Sequence, residues 1–282
     1  MEFSRRDYCL AAFGTALLPI TYWGLASGRG AGAQPSRPVP FRSTLVGGVT
    51  PLRLEWLDRK WRCAMGSTWN PGMEHCLRLT GERARFEIRD TDRDRGQNDE
   101  PKKRRSEIRN PNRPRLPNGV PLWAATSFIH QRWADPAGMA AQKAGGVHGQ
   151  IHIGSTFGGS PAVAFRRLPN GEFAVTTRGE REQDSTTRFR GAVSFDDVHD
   201  LVYRVVLHPT NGSLSVWLDG RPIVDLNNAS IGSNDAECYW SIGCYYGSGI
   251  ACPIVAEFGN HVYPSPSDLS ARIKRRPGWP YG

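Results

Sequence analysis

The chain has no CxxC pair and no His-rich run, so nothing in its spacing suggests a zinc ribbon or finger. It has no E-x-D-x-x-E strand, the pattern that would set two carboxylates about 5–5.5 Å apart for a retaining glycoside hydrolase. No amphipathic helix longer than a few turns is legible before Pro264, which excludes alternating strand–helix units and a parallel α/β sheet. Internal repeats, a domain-sized linker and a recognisable nucleic-acid-binding module are also missing. The long apolar stretch runs from Cys9 to Leu25, where Pro19 and small residues argue against a permanent transmembrane anchor.

What is present fits an exported all-β protein. The 282 residues are 39% hydrophobic and 22% charged, ordinary values for a globular chain, and Gly 31 with Pro 21 signals many turns. Ser4-Arg5-Arg6-Asp7-Tyr8 resembles the start of a twin-arginine export signal, and Ala31-Gly32-Ala33 offers a small-residue cleavage site. Residues 1–33 are therefore expected to leave, giving a periplasmic or secreted bacterial protein with no membrane attachment. Three arginines and two acids in that segment account for +1 of the formal +9, so 34–282 keeps +8. A surplus of that size raises the odds of a polyanionic partner. Five cysteines remain: Cys63, Cys76, Cys238, Cys244 and Cys252. The odd number implies at least one free thiol; Cys63–Cys76 is one pairing open to a disulfide, and no metal is assigned to these cysteines.

Alternation predicts strands at Ala84–Ile88, Ser106–Arg109, Gln150–Ile153, Glu172–Thr176, Tyr203–Leu207, Leu214–Leu218 and Ile254–Phe258. Pro209 to Gly212 and Asp219 to Pro222 read as turns, and Ser267–Lys274 as a helix capped by Ser267. Many short strands without intervening helices predict a single sandwich or jelly roll of two antiparallel sheets over 34–282. The run from Tyr203 to Leu226, with Trp217 between two turn signals, follows a pattern shared by concanavalin-like sandwiches.

Three motifs carry chemistry. In Arg105-Ser106-Glu107-Ile108-Arg109, period two sets Arg105, Glu107 and Arg109 on one face, costly in a core but suited to the concave floor of a cleft. Glu107 would there brace guanidinium groups that meet an anionic ligand. In Gln150-Ile151-His152 the same period pairs Gln150 with His152. In the run from Tyr239 to Tyr245, Tyr239, Ser241 and Tyr245 share a face with Gly243, whose missing side chain is expected to leave room for a ligand. Each motif alone has a plainer reading: a solvated face, a structural histidine, an aromatic edge on a core. The tract Asp90 to Gly96 is not an EF-hand loop, since its glycine falls one place late and Pro101 sits where the bidentate Glu belongs. It is read as a charged loop over the cleft, with Lys102, Lys103 and Arg104 adding attraction for a polyanion.

In this order the motifs resemble those of jelly-roll polysaccharide lyases. Alginate lyases of that fold show R-S/T-E-L-R, then Q-I-H, then Y-F-K-A-G-x-Y. The stretch from Gly149 to Val175 is similar to the heparin-lyase-like and glucuronan-lyase group. The likeness spans about Phe86 to Tyr263; Ser241 stands where many relatives have Lys, and Tyr246-Gly247 also departs from them.

The resemblance implies β-elimination on a uronic-acid polymer by a monomeric, cofactor-free enzyme. Arg105 and Gln150, with Arg109, would neutralise the uronate carboxylate so that the C-5 proton can leave. His152 and Tyr245 would be the base and acid pair. Glu107, Tyr239, Ser241, Arg104 and Lys103 would contact or attract the polymer. In glucuronate or mannuronate one tyrosine can take the proton and return it to O-4; in guluronate or iduronate His152 and Tyr245 would flank the ring. A non-catalytic module that binds acidic polysaccharide on the same groove is the alternative.

Overall fold

In a computed structural model, period-two alternation is realised as sixteen strands among the described residues. It describes residues 42–44, 53–56, 59–63, 75–80, 83–92, 104–109, 116–132, 145–153, 161–179, 185–233, 238–247, 250–251 and 253–273. All belong to one unit, Pro38–Gly282. Residues 1–33, expected to be an export signal, the Pro-rich lead at 34–40, Lys102, Lys103 and residues 93–101 lie outside the described residues.

The first six strands are β1 (Arg42–Thr44), β2 (Arg53–Trp56), β3 (Arg59–Cys63), β4 (Leu77–Thr80), β5 (Arg83–Ile88) and β6 (Arg104–Arg109). Next come β7 (Pro121–His130), β8 (Gly146–His152), β9 (Pro161–Arg167), β10 (Phe173–Thr177) and β11 (Thr186–Gly191). The last are β12 (His199–Val206), β13 (His208–Leu218), β14 (Arg221–Ile231), β15 (Tyr239–Tyr246) and β16 (Ile254–Ser265). They form two sheets, one in the order β1-β2-β3-β6-β15-β8-β9-β10-β11 and the other in the order β14-β13-β12-β7-β16-β5-β4. Every pairing is antiparallel. The chain is an all-β, concanavalin-like jelly roll.

The two sheets share one core, because alternate residues of each turn toward the other. Phe86, Ile108, Ile151, Phe165, Leu214 and Trp240 belong to it. Phe86 meets Phe258 edge-on at 5.7 Å, joining β5 to its neighbour β16. The Asp219-Gly220 turn closes the β13–β14 hairpin with φ of 52° and 77°. Positive φ at both central positions is the primed turn that matches strand twist, and Asp-Gly is a favoured pair for it.

Three expectations change. Pro209 to Gly212 reverses the chain against β12, yet the same residues lie within β13, which pairs with β14 through register shifts on either side of Gly212. The helix expected at Ser267–Lys274 is, in the described part, a single 3-10 turn at Ser270–Arg272 without a side-chain cap. Arg272 is held there by Asp200 at 2.6 Å and by the Asn260 carbonyl, contacts that outweigh the helical propensity of a short segment. Cys76 is a buried free thiol, so the Cys63–Cys76 bridge is not formed; Cys244 is free as well.

Candidate functional site on the nine-stranded sheet

Strands β6, β15 and β8 lie side by side although more than a hundred residues separate β6 from β15. Their core-facing positions are apolar: Ile108 on β6, Trp240 and Ile242 on β15, Ile151 on β8. Period two therefore sends Arg105, Glu107, Tyr239, Ser241, Tyr245, Gln150 and His152 to the opposite face. The register aligns them: Ser241 pairs with Gln150 on one side and Arg109 on the other, Tyr245 with Arg105, and Tyr239 with His152.

Glu107 is the hub. Its Oε1 accepts from Gln150 Nε2 at 2.7 Å and from Ser241 Oγ at 3.0 Å, while Arg105 Nε lies 3.5 Å from Oε2. Glu107 and Gln150 are each 3% exposed and Ser241 1%, so these contacts form with little competition from water. Gln150 Oε1 is buried with no hydrogen-bond partner among the described residues. The Arg105 guanidinium stands 4.3 Å over the Tyr245 ring. His152 and Tyr239 stack at 4.9 Å with an angle of 19° between their planes.

Gly243 serves this array differently from the expectation. Its φ is 142°, and a Cβ there would lie 2.1 Å from the Ser106 carbonyl oxygen. The absent side chain admits the backbone of β6, bringing Glu107 opposite β15, rather than opening space for a ligand.

One expected member stands elsewhere. Arg104 does not join this face: it is 4% exposed, donates to the Asp90 carbonyl at 2.6 Å and precedes Arg105 by one position, which turns it the other way. Lys103 lies outside the described residues, and Arg109 is fixed by its register opposite Ser241 and Arg62. The tract read as a charged loop is partly structural, since Asp92 is buried and bonded to the Arg89 amide at 2.7 Å.

Arg166 on β9 was missed. It pairs with Val147 on β8, and period two places it on the same face as Gln150. Its guanidinium is pulled below the ordinary arginine value by burial and then by Arg178, with Tyr245 acting in the opposite direction. The signal was available: in the strand from Ala162 to Arg167, Arg166 alternates with Phe165 and Arg167, which face the core.

The fold, a two-sheet jelly roll, is shared with solved structures of known proteins. No family model matches the chain, and no curated protein matches it. Among solved structures, the endo-β-1,4-glucuronan lyase of the fungus Trichoderma reesei gives a TM-score of 0.50 at 13% identity, covering 71% of this chain and 88% of that one. An alginate lyase of Zobellia galactanivorans gives 0.44 at 17%, covering 80% and 93%. A botulinum neurotoxin type C structure gives 0.48 at 9%, covering 78% and 46%. At these identities the likeness establishes the fold alone.

Proposed function

We propose that this face binds an acidic, uronic-acid-containing polysaccharide and cleaves it by β-elimination. The observation that carries the reading is the meeting of Arg105, Glu107, Gln150, Ser241 and Tyr245 on one face of three adjacent strands, with His152 stacked on Tyr239 beside them. A uronate carboxylate resists loss of the C-5 proton while it is charged. Arg105 and the second N–H of Gln150 neutralise it, and Arg166 adds a further cation. Tyr245 takes the C-5 proton and returns one to the departing O-4, with His152 assisting. The C-5–H and C-4–O bonds break, a C-4=C-5 double bond forms, and the new non-reducing end is an unsaturated uronate. A glucuronan-like polymer is the preferred substrate in this reading, and the twin-arginine-like leader supports a reaction outside the cytoplasm.

The test is ultraviolet absorbance of the unsaturated product while residues 34–282 are offered glucuronan, alginate and heparin in turn. Tyr245→Phe is expected to lower turnover by about 10²–10⁴-fold, the usual worth of a proton-transfer group, with polymer affinity little changed. Substantial residual turnover removes Tyr245 from the role. The stacked pair Tyr239–His152 favours a second reading, a platform on which a non-catalytic module lays its sugar. Salt-sensitive binding with no rise in absorbance for any polymer selects that reading.

A further inference from the structure

Away from the sugar-facing array, the open end of the β4–β5 hairpin gathers three side chains of metal-ligating type. His75 and Cys76 immediately precede β4, and Asp92 follows β5; pairing of Leu77 with Phe86 brings the two ends together. His75 Nε2 lies 2.9 Å from Asp92 Oδ2, and Cys76 Sγ lies 3.8 Å from the same oxygen. One ligand atom from each of the three residues falls within 4.8 Å of the others. The cluster is enclosed: Cys76 is 0% and Asp92 2% exposed, while His75 keeps slight access to solvent.

We propose that His75, Cys76 and Asp92 form a binding site for a zinc-class divalent cation that clamps the open end of the β4–β5 hairpin. Four observations support it. The donor set mixes imidazole nitrogen, thiol sulfur and carboxylate oxygen, a combination suited to zinc and poorly suited to calcium or magnesium, which take oxygen ligands. Tetrahedral zinc, with bonds of about 2.0–2.3 Å, holds its ligand atoms about 3.3–3.6 Å apart, so small side-chain rotations from the present positions suffice. Asp92 Oδ1 is buried and has no hydrogen-bond partner among the described residues, although a buried carboxylate oxygen ordinarily finds one. Lastly, the backbone around the cluster is fixed: the Cys76 carbonyl accepts from the Glu87 amide at 3.2 Å and from Ser106 Oγ of β6 at 2.6 Å, and Asp92 Oδ2 accepts from the Arg89 amide.

The charge balance agrees. In the metal-free cluster Cys76 Sγ donates its proton toward Asp92 Oδ2 at 3.8 Å. A divalent ion displaces that proton, and thiolate, carboxylate and neutral imidazole then make the site neutral overall. A water reaching the His75 side can fill the fourth position. This inference is independent of the proposed elimination.

The experiment uses residues 34–282 under reducing conditions. Chelator-treated protein is titrated with Zn²⁺, or with Co²⁺ as a spectroscopic stand-in. One equivalent is expected to bind, to raise Tm by several degrees, and with Co²⁺ to give a thiolate-to-metal charge-transfer band and the intense visible bands of tetrahedral cobalt. Cys76→Ser should abolish the charge-transfer band, and Asp92→Asn or His75→Gln should weaken binding at least tenfold. Cys238→Ser, at a buried thiol outside the cluster, should change none of these. Should Cys76→Ser fail to fold, the wild-type cobalt spectrum and the His75→Gln titration decide the matter. Binding below one equivalent, a spectrum without a thiolate band, or a band that survives Cys76→Ser or is lost in Cys238→Ser overturns the site.

Discussion

A carboxylate as buried as Glu107 is tolerated only when polar groups surround it: Gln150 and Ser241 donate to it, and Arg105 Nε lies 3.5 Å away as its counter-charge. Glu107 thereby sets where Gln150 presents its remaining N–H and where Arg105 lies over Tyr245. Two substitutions separate these roles. Glu107→Ala leaves buried donors without an acceptor and should cost about 2–3 kcal/mol of stability, read as a lower denaturation midpoint. Glu107→Gln keeps the shape and one acceptor oxygen while removing the counter-charge of Arg105. It should fold with a smaller loss of Tm yet, under the proposed elimination, lose at least tenfold in turnover of polyuronate. Equal damage by both to stability, with turnover by the Gln variant intact, would show that Glu107 supports the sheet and not the site. Charge is a poor guide to exposure here: Arg167 is fully buried, donating to the Gln131 carbonyl at 3.0 Å with Phe195 against its guanidinium, while Arg105 one sheet face away remains partly accessible.

At the scale of strands, the array depends on how closely β6 approaches β15. Gly243 allows that approach, and Gly243→Ala would drive a Cβ into the Ser106 carbonyl at a φ that L-residues avoid. The strands must separate or shift to relieve the overlap, so the substitution should cost about 3 kcal/mol or more and abolish activity together with Tm. A Gly243→Ala variant with wild-type Tm, measured by scanning calorimetry, would mean that the two strands are free to move apart without cost. Gly247→Ala is the internal control, because nothing lies within 4 Å of the added methyl group. The strands themselves were legible from alternation, and so was the face shared by Glu107, Gln150 and Tyr245, because period two leaves only two choices. What escaped the sequence was phase and distance. Arg104 was grouped with Lys102 and Lys103 by charge, although one step along a strand reverses the face. Arg166 was overlooked because its partner across the sheet, Val147, carries no polar group. His75, Cys76 and Asp92 match no spacing motif, since they meet only once the β4–β5 hairpin has closed.

Across the whole molecule, the space between the sheets holds polar groups that a jelly-roll core does not require. His130, His148 and His261 line an interior cavity with Thr126, Tyr203 and Trp240. Burial holds all three imidazoles well below the usual histidine range, helped by neighbouring basic groups: His148, Arg167 and His199 for His130, Arg167 for His148, Arg272 for His261. His148 uses its Nε2 on the Tyr246 hydroxyl at 2.7 Å. In the unfolded chain these rings titrate near 6.5, so below about that pH the unfolded state binds protons that the native state refuses. Their contribution is fully present above the unfolded value and drains away as pH falls from there toward the folded values. His199 runs the other way. Burial opposes its charge, but Asp219 at 2.7 Å and the Ser194 carbonyl raise it above its ordinary value. Its contribution is complete below about 6.5 and fades as pH rises through the folded value. Three groups against one make the acid side the steeper. Stability should peak just above pH of about 6.5 and fall between about 6.5 and 5, a window above the range where ordinary carboxylates titrate, with close to three protons taken up on unfolding. Calorimetry in buffers of different ionisation enthalpy counts those protons. A Tm that stays level across this window, or an uptake near zero, would mean that the core imidazoles accept protons without opening the sandwich, and that the cavity they line is in contact with water.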